Sequence, residues 1–207
     1  MEKEGTEIEE LDVEEGQSIL LLGDPFETTT QDICNHLLLS RADDSKRKVI
    51  KVSFHTQSDK LVENWSEQGQ LPDEGAIIEI SSLEDSGGRS GGSTEYPIPM
   101  NVRYVNRNDL TGIGIGISES LGAFEDRNVK IAVCFDNLTS AMMNSDGDLV
   151  YRFVNTITSR IIQAGATVHY HLDPGAHDSQ TVSMLQSSVQ MTVEALPDGD
   201  AEVRRRW

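Results

Sequence analysis

Short apolar runs alternate with helix-periodic segments along this chain, and that alternation narrows the folds open to it more than any other feature. Ser18–Leu22, Lys48–Phe54 and Gly75–Ile80 read as strands, while Gln31–Leu39 and Gln57–Gln68, which contains Trp65, read as helices between them. A β-α-β-α-β order leads to a mostly parallel sheet with helices on its faces, because parallel strands are joined by crossovers that run over the sheet. The pattern continues with a short strand at Val102–Val105, a helix over Asp109–Phe124, a buried strand at Lys130–Phe135 and a helix over Asp148–Gln163 that stops at Gly165. Thr167–His171 is a further strand and Ser179–Ser187 a further helix. Val189–Ala195 and Ala201–Arg206 are expected to close as a hairpin turned at Pro197-Asp198-Gly199-Asp200. The predicted fold class is α/β, with a mostly parallel central sheet flanked by helices and a C-terminal β-hairpin.

A length of 207 residues suits one such domain. Met1–Glu15 carries eight acidic side chains and one Lys, with little to bury, and is expected to be a flexible leader or short edge element. The domain proper is then 16–207, interrupted at 81–95 by a loop rich in Gly and Ser. Seventeen Lys and Arg against thirty-five Asp and Glu give a net charge of −18, which argues against binding nucleic acid through phosphate neutralisation. The acidic excess is spread over the chain, as on a surface adapted to a salt-rich cytoplasm. No run approaches the roughly 20 apolar residues of a membrane-spanning helix, and no basic, then apolar, leader opens the chain, so a cytoplasmic location is expected. Cys34 and Cys134 show no C-x-x-C spacing and are expected to be reduced, packed thiols.

Two segments carry chemistry by their position. The first strand runs into Gly23-Asp24-Pro25-Phe26-Glu27-Thr28-Thr29-Thr30 and then a helix. A phosphate-binding loop has the spacing G-x-x-x-x-G-K-[ST], with backbone N–H groups around the phosphates, Lys on the outer phosphates and Ser/Thr on Mg²⁺. Gly23 and Thr30 hold the right separation, but Thr28 stands for the second Gly and Thr29 for the Lys. The second segment, Ile131-Ala132-Val133-Cys134-Phe135-Asp136, is an apolar strand that delivers a carboxylate, Asp136, to the C-terminal edge of the sheet, where a Mg²⁺-nucleotide would sit.

Together with Asp136-Asn137-Leu138-Thr139, the stretch 109–121 (DLTGIGIGISESL) and the stretch 163–181 (QAGATVHYHLDPGAHDSQT), these segments make residues 16 to about 195 resemble the RecA/KaiC-like branch of P-loop ATPases, and more narrowly its small, degenerate members common in salt-loving archaea. The resemblance implies a RecA/KaiC-like P-loop fold, assembly through domain edges, and a strand after the first helix ending in a Glu that acts as general base. His55, Thr56 and Gln57 occupy those positions here. With Lys and base both replaced, turnover is expected to fall by orders of magnitude.

Other candidates are weaker. His169, His171 and Asp173 have metal-ligand types at strand spacing, with His177-Asp178 nearby, but no further closely spaced pair completes a zinc signature, and polar contacts at the strand end are the expected role. Gly112-x-Gly114-x-Gly116 is not a dinucleotide fingerprint and points to close helix packing. Arg204, Arg205, Arg206 and Trp207 form a basic, aromatic end that either docks a partner or pairs with the protein's own carboxylates. The expected function is a catalytically inactive RecA/KaiC-like domain acting through protein–protein interaction or homo-oligomerisation in signalling or regulation, with no cofactor, no nucleic acid and no membrane. The alternative is a slow or non-hydrolysing nucleotide switch that holds ATP and Mg²⁺ through Gly23, Thr28, Thr29, Thr30 and Asp136.

Overall fold

A computed structural model describes residues 6–40, 46–81, 95–124 and 129–206. Most of the Gly/Ser-rich stretch expected as a loop (82–94), the first five residues of the acidic leader, and Trp207 lie outside the described residues.

The chain runs β1 (Ser18–Leu22), α1 (Thr28–Leu39), β2 (Lys46–Ser53), α2 (Ser58–Glu67), β3 (Glu74–Ser81), β4 (Met100–Asn106), α3 (Leu110–Ala123), β5 (Val129–Asp136), α4 (Leu138–Asn144), α5 (Gly147–Gln163), β6 (Thr167–Leu172), α6 (Ser179–Ser187), β7 (Met191–Ala195) and β8 (Ala201–Arg205). The eight strands form one sheet in the order β4-β3-β2-β5-β6-β1-β7-β8. Every pairing is parallel except β7 with β8, the predicted hairpin. Interior strands such as β1 are buried on both faces, which is why Ile19-Leu20-Leu21-Leu22 is a continuous apolar run and does not alternate.

Each face of the sheet has its own core. On one side α3, α4 and α5 pack over Leu20, Ile50, Val52, Val133, Phe135 and Tyr170. On the other, α1 and α2 pack over Ile19, Leu21, Val49, Ile77, Ala132 and Cys134. The glycines of α3 serve packing, as expected: a Cβ at Gly116 would lie 3.0 Å from Ile78 Cδ1 and 3.1 Å from Arg103 Cδ, so its absence lets the helix close on the sheet. The short helix α4, which the sequence pattern did not indicate, starts where Asn137 accepts a hydrogen bond from the Ser140 N–H.

Part of the acidic N-terminal segment is docked. Thr6 and Ala201 exchange backbone hydrogen bonds of 2.8 and 3.0 Å, and Leu11 is buried beside α1, with Ile8 and Val13 packed against the same core. Three apolar side chains among the carboxylates are enough to anchor it along β8.

Helix α5 is capped by Asp146, whose carboxylate accepts the N–H groups of Asp148 and Leu149 at 3.0 and 3.2 Å. Asp146→Ala is expected to cost about 1 kcal/mol and to lower Tm by about 2–4 °C, whereas Asp146→Asn retains most of the cap. Thermal unfolding followed by circular dichroism of the two variants checks this.

Candidate functional site

The parallel register decides which side chains meet. Lys51 on β2 stands opposite Cys134 on β5, and Cys134 opposite His169 on β6; Ser53 stands opposite Asp136. Alternate residues of a strand share a face, so Asp136 and His171 join Lys51, Cys134 and His169 on the side covered by α1. From α1, the buried stripe Thr30, Ile33, Cys34, Leu37, Leu38 brings Cys34 down onto them at helical spacing.

The result is a polar cluster sealed in an apolar layer. Lys51 Nζ lies 3.0 Å from Asp136 Oδ2, 3.2 Å from Cys134 Sγ and 3.6 Å from Cys34 Sγ. The two sulfurs are 3.7 Å apart. His169 Nε2 lies 3.4 Å from Cys34 Sγ, and His171 Nε2 lies 3.5 Å from Cys134 Sγ. His171 Nδ1 has no hydrogen-bond partner among the described residues and faces Asp136 Oδ1 at 4.0 Å.

Charge sets the protonation states. Burial pulls the Lys51 ammonium down, but the Asp136 carboxylate and the two sulfurs outweigh it and hold Lys51 well above the usual lysine range. Burial pushes Asp136 up, and the charge of Lys51, helped by His171, more than reverses this and leaves it below the ordinary aspartate value. Cys34 is pulled well down by the hydrogen bond from Cys134 and the nearby Lys51 charge, against the upward pressure of burial. Cys134 is pushed up by burial and by its partner thiolate, and burial lowers His169.

The loop before α1 closes on itself. Gly23 N–H donates to the Leu172 carbonyl at 3.1 Å, Asp24 accepts the Phe26 N–H on its side chain at 2.8 Å, and its carbonyl accepts the Glu27 N–H at 3.1 Å. A carboxylate carried by the loop thus takes an N–H that a phosphate-binding loop presents to its ligand. Thr28, Thr29 and Thr30 form the first turn of α1. Thr30 Oγ1 is buried without a partner among the described residues and packs so close to Gly23 that a Cβ there would lie 2.4 Å away.

The remaining sequence candidates fall elsewhere. His55, one of the residues expected from the sequence to stand where a base would be, lies 2.7 Å from Ser140 Oγ through Nε2 and neighbours the Phe26 ring, with centroids 6.3 Å apart. Asp173 does not join the histidines, because β6 ends at Leu172 and the chain turns; its carboxylate accepts the Gly175 N–H instead. His177 meets Thr139 Oγ1 at 3.1 Å. Arg204 pairs with Glu202 and Glu194, Arg205 donates to the Asp12 carbonyl, and Arg206 donates to the Ser187 carbonyl.

Sequence reasoning did not bring Lys51, Cys34 and Cys134 into the site. One signal was present: Lys51 interrupts Val49-Ile50-Lys51-Val52 in the middle of a buried strand, and a lysine there requires a buried partner.

The sequence profile of a family of unknown function, DUF7504, matches residues 16–195. No curated protein matches the sequence. Solved structures share the fold. A KaiC-like protein, PH0186 of Pyrococcus horikoshii, is 10% identical with a TM-score of 0.54, over 87% of this chain and 73% of its own. PH0321 of the same organism, an uncharacterised protein solved in complex with an unknown peptide, is 8% identical with a TM-score of 0.57, over 94% of both chains. The flagellar accessory protein FlaH of Methanocaldococcus jannaschii is 14% identical with a TM-score of 0.51, over 93% of this chain and 78% of its own. At these identities the likeness is one of fold, and the fold is RecA/KaiC-like. No helix among the described residues is long and apolar enough to cross a membrane.

Proposed function

We propose that this chain, which belongs to the family of unknown function DUF7504, is a RecA/KaiC-like domain that does not turn over nucleotide and acts through protein–protein interaction in signalling or regulation. The observation that carries this reading is the ion pair of Lys51 with Asp136 at 3.0 Å. The carboxylate that the fold would offer to a Mg²⁺-nucleotide is engaged by a lysine of its own sheet, 4% exposed, and releasing it would leave that ammonium buried without its carboxylate. The Asp24 contacts within the loop and the absence of a carboxylate at 55–57 act in the same direction.

The same edge supplies an apolar surface in place of a charged one. Phe26 and Met143, each 81% exposed, are the most exposed large apolar side chains described. Phe26 neighbours His55, His55 meets Ser140, and Met143 lies one helical turn beyond Ser140, so both exposed side chains stand at this end of the sheet and could serve a protein partner. A neighbour of the same fold, PH0321, engages a peptide, which is consistent with such a use.

A second reading keeps nucleotide binding, and the unpaired Thr30 Oγ1 at the position of the Mg²⁺-binding hydroxyl favours it. Calorimetry with ATP or ADP and Mg²⁺ at high salt, with phosphate release measured alongside, separates the two. The expected result is no saturable heat and no phosphate above background. Micromolar affinity abolished by Thr30→Val or Asp136→Ala would establish the nucleotide reading instead. For the interaction itself, Phe26→Glu with Met143→Glu should lose a partner captured by the wild type from native lysate. A wild-type chain that is monomeric and captures nothing removes that half of the proposal.

A further inference from the structure

We infer that Cys34, Cys134, His169 and His171 form a closed, structural zinc(II) site beneath α1, with Lys51 and Asp136 as its outer partners. The four ligand atoms lie within 4.8 Å of one another, and all four residues are at most 1% exposed. Their separations match those of a metal's ligands. Zinc takes thiolate sulfur at about 2.3 Å and imidazole nitrogen at about 2.0–2.1 Å in a tetrahedron, which gives S···S edges of about 3.8 Å and S···N edges of about 3.5 Å. The observed S···S separation is 3.7 Å, and two S···N separations are 3.4 and 3.5 Å.

The outer groups complete the charge and the orientation. Two thiolates and two neutral imidazoles neutralise one Zn²⁺, and Lys51 with Asp136 forms a second neutral pair beside it, so the buried cluster closes at zero net charge. Lys51 Nζ, 3.2 and 3.6 Å from the two sulfurs, is placed to donate to the thiolates. With Nε2 directed at the sulfurs, His171 turns its unpaired Nδ1 toward Asp136, the arrangement in which a carboxylate fixes the tautomer of a metal-bound histidine. Two soft and two borderline donors select zinc over Mg²⁺ or Ca²⁺, and four protein ligands leave no open position, so the role is structural. The ligands come from α1, β5 and β6, 100 residues apart at Cys34 and Cys134, so no linear zinc signature could announce the site.

The test uses the full chain produced under reducing conditions, with metal measured by mass spectrometry and cobalt(II) as the spectroscopic probe. About one zinc per chain is expected, together with a cobalt(II) complex showing tetrahedral d–d bands and thiolate charge transfer. Cys34→Ser with Cys134→Ser should abolish both, His171→Asn should weaken binding, and Asp136→Asn should lower zinc affinity about 10–100-fold by loosening that histidine. His177→Ala, outside the cluster, should leave uptake unchanged. Because ligand variants can fail to fold, the wild type supplies a second readout: a strong chelator should lower its Tm and added zinc restore it. Folded, reduced wild-type protein that carries no metal, gains none from zinc or cobalt(II) and is indifferent to chelator overturns the inference, as does a cobalt complex without thiolate charge transfer.

Discussion

Lys51→Met is expected to destabilise the protein by about 3–5 kcal/mol, because it removes one half of a buried ion pair and leaves the Asp136 carboxylate uncompensated inside the sheet. Met fills nearly the same volume, so packing loss contributes little. The charge origin of the cost has two signatures. First, Lys51→Met combined with Asp136→Leu should recover most of the loss, since a buried pair replaced by apolar groups of similar size is often neutral. Secondly, the variant should respond to pH in the opposite sense to the wild type. In the wild type Asp136 is depressed, so its contribution is present above its unfolded value of about 3.9 and is lost as pH falls through the lower folded value. Lys51 is raised, so its contribution is full below its unfolded value of about 10.4 and is lost as pH rises through the folded value. The pair therefore gives a plateau from about pH 4 to about pH 10. In Lys51→Met, burial raises Asp136, and stability should increase as pH falls from that raised value toward the unfolded value of about 3.9. Denaturant titrations across pH measure all of this. A single-variant cost below about 1 kcal/mol, or a double variant no better than the single, would show that the pair is not the coupled unit described here.

Phe135→Ala is expected to cost about 3–5 kcal/mol as well, by a different mechanism. Phe135 is 1% exposed and stands at the centre of an aromatic cluster, its ring 5.7 Å from Phe54, 5.9 Å from Phe153 and 5.9 Å from Tyr170. Truncation leaves a cavity between strands β2, β5 and β6 and helix α5, where four elements limit collapse. Tyr170 is further fixed by its hydroxyl contact with Thr158 Oγ1 at 2.7 Å, so it cannot swing in to fill the space. Phe135→Leu should cost less than half as much, with an unchanged denaturant m value in both variants. A Phe135→Ala cost under about 1.5 kcal/mol would mean that this core repacks freely. The two tests bear on opposite faces of one strand: Phe135 faces the apolar core under α5, and Asp136, the next residue, faces the polar cluster under α1.

That contrast separates what was legible in the sequence from what was not. The strands β1, β2, β3, β5 and β6 and their helices followed from local periodicity, since a doubly covered parallel strand must be apolar throughout and a crossover helix must show one apolar stripe. The hairpin at Pro197–Asp200 followed from turn chemistry, and the helix over 110–123 was legible although its glycines alternate like a strand. That Thr29 and residues 55–57 differ from the linear pattern of a phosphate-loop ATPase was legible in the sequence alone.

The candidate site was only partly visible, for a physical reason. His169 and His171 stood out as a pair sharing one face of a strand, and Asp136 as the end of another, each identifiable within six residues. Their association with Lys51, Cys34 and Cys134 depends on sheet order and register, which bring β2, β5 and β6 side by side and lower α1 onto them. The linear chain therefore determined the α/β architecture. The tertiary structure alone decided that a buried lysine engages the edge carboxylate, and that two thiols and two imidazoles from three distant elements converge within 4.8 Å of one another. Local periodicity records which face a side chain takes, whereas the partner it meets there is set by pairing between strands far apart in sequence.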